Sequence, residues 1–282
     1  MITLNRKPVH VAMFSGGAAS AYVAYRMVQA YGKENCILFF TNTLWEDEDN
    51  YRFMEEVAEY IGIEITERID GRTPEEVFYD YRFLGNARLA KCSEELKVRQ
   101  TVMFIEELRD EHNLEPILYF GIGPHEKHRA DNLREFYKHV PLEPVETRFP
   151  MIETFTEDID VKSIIENEWG IRLPRMYKLG FAHANCGGRC VRGGFYHYAQ
   201  LYKIWPDRYK EQEEMEERFR AYFQKDVSIL KKNGKPFTLR EYREQLEREG
   251  VERFLKRRRY HSLCMFLFIN IRIMVEYREK VS

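Results

Sequence analysis

The sequence predicts an α/β protein: a parallel sheet covered by helices, of the Rossmann-like kind, followed by a mainly helical C-terminal part. Three observations carry this. Short apolar runs alternate with helical patterns over residues 1–150, as expected of strands joined by crossover helices. Gly32 and Gly62 fall where the first two helical patterns stop. Beyond residue 150 the alternation gives way to charged helical segments and a glycine- and cysteine-rich stretch. The chain therefore divides into an α/β region, 1–150, and a cysteine-containing region, 151–282.

The elements follow in order. Residues 9–14 form an apolar strand that breaks at Ser15-Gly16-Gly17. A helix over 18–31 carries Tyr22, Val23, Met27 and Val28 on one side. Residues 36–41 make a second strand, 49–61 an amphipathic helix and 63–68 a third strand. Pro74 marks the first turn of a helix starting at Thr73. A long helix over 93–113 leads to a strand at 117–121. Further on, helices are expected at 161–169, stopped by Gly170, and at 206–224 and 239–249, with a turn at 231–236 between the last two. Ligands of such sheets bind beyond the C-terminal strand ends, where Ser15, Thr41 and Gly121 would lie.

Composition narrows the class. The formal net charge is -2, so no global charge argues for nucleic acid. No signal-peptide pattern opens the chain, and no apolar run reaches the roughly 18 residues of a membrane span. The apolar stretch 263–275 is interrupted by Asn270 and Arg272 and reads as a buried helix or strand. Five cysteines, an odd number, point to a reducing cytoplasm rather than a disulfide framework. Cys36 and Cys264 lie in apolar runs and read as small core residues.

The strand, the Ser-Gly-Gly turn and the helix N-terminus together make an anion site suited to phosphate. No lysine follows the second glycine, so this is not the common NTPase loop. Ser15-Gly16-Gly17-Ala18-Ala19-Ser20 instead resembles the Ser-Gly-Gly-x-x-Ser PP-loop of the ATP pyrophosphatases (adenine nucleotide alpha hydrolases). Four further segments resemble the PAPS reductase-like branch of that superfamily: Thr41-Asn42-Thr43; Cys92-Ser93-Glu94-Glu95-Leu96-Lys97; Gly121 to Arg129, with Glu126 inside it; and Phe149-Pro150-Met151-Ile152-Glu153. The stretch from Tyr177 through His183 to Cys186-Gly187-Gly188-Arg189-Cys190 is also similar to this branch.

The resemblance implies that ATP, with Mg²⁺, is held by Ser15, Gly16, Gly17, Ser20, Thr41, Thr43, Gly121 and Glu126, and that Ser15, Cys92 and Arg129 take part in catalysis. Lys91 and Lys97 flank Cys92 and could also face the phosphates. The acidic run Glu46-Asp47-Glu48-Asp49 reads as a solvated helix start, with Mg²⁺ binding as the alternative. Trp205 and Tyr209 read as packing residues.

Cys186 and Cys190 flank a flexible loop that can turn two sulfurs toward one point. Cys92 sits at a helix start, where the dipole favours the thiolate. Three thiolates suit a 4Fe–4S cluster with one open iron. The alternatives are a zinc site with His183 as fourth ligand, a redox pair or persulfide carrier, and unliganded structural cysteines. Lys256-Arg257-Arg258-Arg259 is the one compact basic cluster, either a solvated run or a nucleic-acid contact.

The function expected from this resemblance is an ATP pyrophosphatase that adenylates a substrate for sulfur insertion, of the DNA-phosphorothioation type. Nucleic acid would be the acceptor and a cysteine desulfurase the sulfur donor. The oligomeric state stays open, a homodimer included. A sulfonucleotide reductase is the alternative, although its Glu-Cys-Gly-Leu/Ile-His motif and its paired cysteines are absent. A non-catalytic nucleotide-binding subunit is the third reading.

Overall fold

The computed structural model describes residues 5–154 and 159–256. The 263–275 stretch, Cys264 and Arg257 to Arg259 of the basic cluster lie outside the described residues.

Five strands form a parallel sheet: β1 (Lys7–Met13), β2 (Cys36–Asn42), β3 (Ile65–Ile69), β4 (Leu114–Tyr119) and β5 (Glu146–Arg148). Their order is β3-β2-β1-β4-β5. Helices α1 (Ala18–Tyr31) and α2 (Glu48–Ile61) link the strands on one side of β1. The chain then crosses back over β1 to build β4 and β5. The topological switch therefore lies between β1 and β4, the place where ligands of open α/β sheets bind.

Alternation along the strands feeds two cores. Ala12, Leu38 and Phe40 pack under α1 and α2, together with Ile165, Trp169, Ile171 and Leu173 from beyond residue 150. Val11, Phe39 and Leu118 pack on the opposite face against α4 (Gln100–Asp110) and α5 (Lys127–His139), once α3 (Pro74–Asp80) has been passed. A third core holds the C-terminal region: α6 (Phe195–Ile204), α7 (Pro206–Phe223) and α8 (Leu239–Glu249), with Trp45, Phe78 and Leu84 reaching in from the α/β region.

Several elements differ from the sequence expectation. The helix expected at 93–113 begins at Lys91–Ser93, widens into a π turn at Glu94–Arg99 and ends at Asp110. The third strand starts two residues later than expected, and β4 three residues earlier. β5 and α5 had no expectation: β5 has only three residues, and the stripe Ala130, Leu133, Phe136, Tyr137 of α5 lies inside a charged sequence. The expected turn at 231–236 is a hairpin of β6 (Leu230–Lys232) and β7 (Lys235–Phe237). Asn233 and Gly234 both take positive φ there, the two-residue turn that suits hairpin twist. Among the described residues, no helix is long and apolar enough to cross a membrane.

Candidate functional site

β1 delivers the chain into a tight turn. The Phe14 N–H still donates to the Phe39 carbonyl at 2.8 Å, so strand pairing runs to the edge of that turn. Gly16 then takes φ +73°. A Cβ there would lie 2.6 Å from both amide heteroatoms of Asn50, so both conformation and space require glycine. Ser20 closes the turn. Its Oγ accepts the Ser15 N–H and the Ser15 hydroxyl, each at 3.3 Å, and donates to the Gly17 carbonyl at 2.8 Å. Gly17 is the N-cap of α1 and supplies no side-chain cap. The helix start is left to other partners. Tyr177 Oη takes one N–H, that of Ala18, at 3.3 Å.

Beside this turn lies a cleft enclosing about 710 Å³ of solvent-open space. Ser15, Ser20, Thr41, Gly121, Lys97 and Arg129 line it, with an apolar wall of Phe14, Phe39, Phe40, Phe120 and Ile122. Hydroxyls, two cationic side chains and aromatic rings in one cleft are the chemistry that a nucleotide's phosphates and base would use. Gly121 is there for a packing reason: a Cβ on it would lie 2.4 Å from the Ser20 backbone nitrogen, so β4 can approach the first turn of α1 only without a side chain. Arg129 pairs with Glu126 through one guanidinium nitrogen, while its Nε is buried without a partner among the described residues. Glu126 itself is not among the lining residues and holds Arg129 instead.

A second cavity, of about 460 Å³, opens next to the first. Cys92, Cys186 and Cys190 all line it, with Thr43, Trp45, Lys97, Arg189 and Arg192. Its charged lining is cationic: Lys97, Arg189 and Arg192. Thr43 faces this cavity rather than the cleft that Thr41 lines. Lys97 lines both cavities. The π turn carries it inward to 7% exposure, whereas Lys91 pairs with Glu94 at 2.8 Å.

The cysteine loop is held from several sides. Cys186, Gly187 and Gly188 take φ +60°, +54° and +82° in succession. The Cys186 N–H donates to Glu46 at 2.8 Å, and Glu46 also accepts from Thr43 Oγ1 at 3.3 Å and faces Lys97 Nζ at 3.6 Å. Arg208 donates to the Gly187 carbonyl and His197 Nε2 to the Gly188 carbonyl, each at 2.8 Å. That second bond fixes the His197 proton on Nε2. Burial pushes His197 down to about 4 and His183 to about 3, the latter helped by His197, Lys97 and Arg129. Both imidazoles are neutral, and neither ring nitrogen of His183 has a partner among the described residues.

The acidic run is not the solvated helix start that the sequence suggested. Glu46 and Asp47 are buried. Asp47 takes Arg175 with both oxygens at 2.8 Å and Arg208 at 3.2 Å. Burial pushes the Asp47 carboxyl up, but these arginines outweigh it and hold it below its ordinary range. Asp49 is engaged by Arg52 and Arg172 and accepts the Arg175 N–H. The run clamps residues 172–208 onto the end of the sheet.

The three thiols share one cavity and are free of disulfides. Their donor chemistry fits an iron–sulfur cluster or zinc. Among the described residues, however, no three His, Cys, Asp or Glu side chains converge on a point that could hold a metal ion. His183 does not line the cysteine cavity. Cys36 is a core residue, as expected, and burial pushes its thiol up to about 11. Tyr209 is fully buried with its hydroxyl on the Leu239 carbonyl, and Trp205 stacks on Phe181, so both pack as expected. Sequence reasoning passed over Asn50 and Arg192, neither of which stands in a pattern that marks a site; Tyr177 and Arg189 lie in the singled-out stretch 177–190 but were given no role of their own.

No family model and no curated protein matches the chain. Among solved structures, phosphoadenylyl-sulfate (PAPS) reductase from Candida auris, in a phosphate complex, is similar. It shows 15% identity and a TM-score of 0.40 over 61% of this chain and 78% of that one.

Proposed function

We propose that this chain is an ATP pyrophosphatase that adenylates a substrate for sulfur insertion, in the manner of the PAPS reductase-like PP-loop proteins. The observation that carries the reading is the shared wall. Lys97 lines both the cleft beside the Ser-Gly-Gly turn and the cavity that gathers Cys92, Cys186 and Cys190. A nucleotide held in one space and sulfur held in the other would meet across a single buried lysine.

In this reading the ATP phosphates seat against Ser15, Ser20 and the start of α1, where backbone N–H groups and the helix dipole favour an anion. The aromatic wall receives the base. Lys97 and Arg129 supply positive charge where it develops on the α-phosphate and the departing pyrophosphate. A substrate oxygen attacks the α-phosphorus, the α–β bridging bond breaks, and pyrophosphate leaves with its electron pair. A sulfur nucleophile then displaces AMP. Among the described residues no carboxylate lines the cleft, so Mg²⁺ would enter largely on the phosphates of ATP. Cys92, Cys186 and Cys190 would be the thiolates that hold a cluster, and a bound cluster with an open iron would supply a place for sulfide. The acceptor we propose is nucleic acid, with a cysteine desulfurase as donor.

Pyrophosphate release from ATP, measured with and without DNA or tRNA, tests the first step. Ser15→Ala is expected to lower turnover at least about tenfold. Iron and acid-labile sulfide on anaerobically purified protein test the second, with loss of iron expected in Cys186→Ser. ATP left intact under every acceptor would overturn the adenylation reading. Iron unchanged in Cys186→Ser would overturn the ligand assignment.

A further inference from the structure

Asn50 is a fully buried polar side chain beside the Ser-Gly-Gly turn. It stands in the first turn of α2, is 0% exposed, and neither Oδ1 nor Nδ2 has a hydrogen-bond partner among the described residues. A buried amide without partners is strongly unfavourable, and an apolar residue of similar size would fit the same space without that cost. The amide lies against Gly16, whose absent Cβ would sit 2.6 Å from both of its heteroatoms. Gly16 is also the residue of the turn with a left-handed backbone, φ +73°. The unpaired donor and acceptor thus rest directly on the backbone segment best able to change its peptide orientation.

We infer that Asn50 is a positioning residue for the Ser15–Gly17 turn, its amide pairing with the turn's peptides when a nucleotide is bound. Seating a polyphosphate on α1 reorients the Ser15–Gly17 peptides. One of their carbonyls then accepts from Asn50 Nδ2, and one of their N–H groups donates to Oδ1. Pairing this buried amide contributes part of the free energy with which the nucleotide binds. This rests on the nucleotide reading above and adds to it a specific group and a direction of coupling.

The test compares wild type, Asn50→Leu and Asn50→Ala by thermal melting without ligand and by calorimetric titration with ATP and Mg²⁺. Asn50→Leu is expected to melt at or above the wild-type temperature, yet bind ATP about tenfold more weakly. Asn50→Ala keeps a helix-compatible residue and is expected to show the same weakening should the leucine variant fail to fold. A purely structural role gives the opposite pattern, a lowered melting temperature with Kd unchanged, and would overturn the inference. Wild-type binding equalled by both variants would also overturn it while leaving the nucleotide reading intact. A wild-type chain that does not bind ATP at all would overturn both.

Discussion

Cys186 holds φ +60°, a left-handed backbone that costs a non-glycine residue about 1 kcal/mol. The neighbouring glycines adopt such angles freely, so a glycine at 186 would suit the loop better. Cys186→Gly is therefore expected to leave unfolding stability unchanged or raise it by up to about 1 kcal/mol, while removing any iron the protein carries. Denaturant unfolding and an iron assay on the same preparation check both halves. Gly121 presents the reverse case. Alanine there must push back the first turn of α1, because its Cβ would meet backbone at 2.4 Å rather than a side chain that can swing away. We expect Gly121→Ala to cost about 2 kcal/mol and to weaken nucleotide binding in the same titration. Ser15, Gly16, Gly17 and Ser20 were legible in the sequence because a turn between strand and helix is a local pattern. Asn50 was not, because its partner Gly16 is 34 residues away (50 − 16) and the contact exists only once α2 packs beside the turn.

At the level of elements, the π turn Glu94–Arg99 shows how small irregularities decide a site. A regular helix was the sequence expectation, and hydrophobic periodicity gave no sign of the wider turn that brings Lys97 inward. The hairpin β6–β7 depends on another buried group. Glu216 on α7 is 0% exposed and accepts the Ile229 and Leu239 N–H groups at 2.7 and 2.6 Å, tying both ends of the hairpin to α7. Burial pushes its carboxyl from an ordinary 4.5 up to about 7, against the pull of those two bonds. A raised carboxyl pKa means that the folded state keeps a proton the unfolded chain has released. Stability from this group is full below about pH 4.5 and falls as pH rises to about 7. Wild type is expected to lose about 3 kcal/mol across that window relative to Glu216→Gln, read as the difference between their two pH–stability curves.

Across the whole molecule, the acidic run Glu46 to Asp49 fastens the C-terminal region to the sheet. Asp47 is nearly unexposed, and its pairs with Arg175 and Arg208 span more than a hundred residues of sequence. Both arginines are partly solvated, so removing the carboxylate does not strand two buried charges. Asp47→Ala is expected to cost about 2 kcal/mol and to speed alkylation of Cys186 by iodoacetamide, because the loop loses the anchor that Arg208 shares between Asp47 and Gly187. Unchanged alkylation would show that the remaining bonds, from Cys186 to Glu46 and from His197 to Gly188, hold the loop without Asp47.

The sequence by itself determined the α/β class and the position of the Ser-Gly-Gly turn between β1 and α1, because each is written in local periodicity or in residues that few other backbones require. Tertiary structure alone decided that β5 closes the sheet edge, that Thr43 turns toward the cysteines while Thr41 faces the cleft, and that one lysine lines both cavities. It also turned an acidic run with the look of a solvated helix start into a buried clamp. These depend on which distant charges and strands meet, and a buried carboxylate opposite two arginines is written in one dimension as ordinary surface charge.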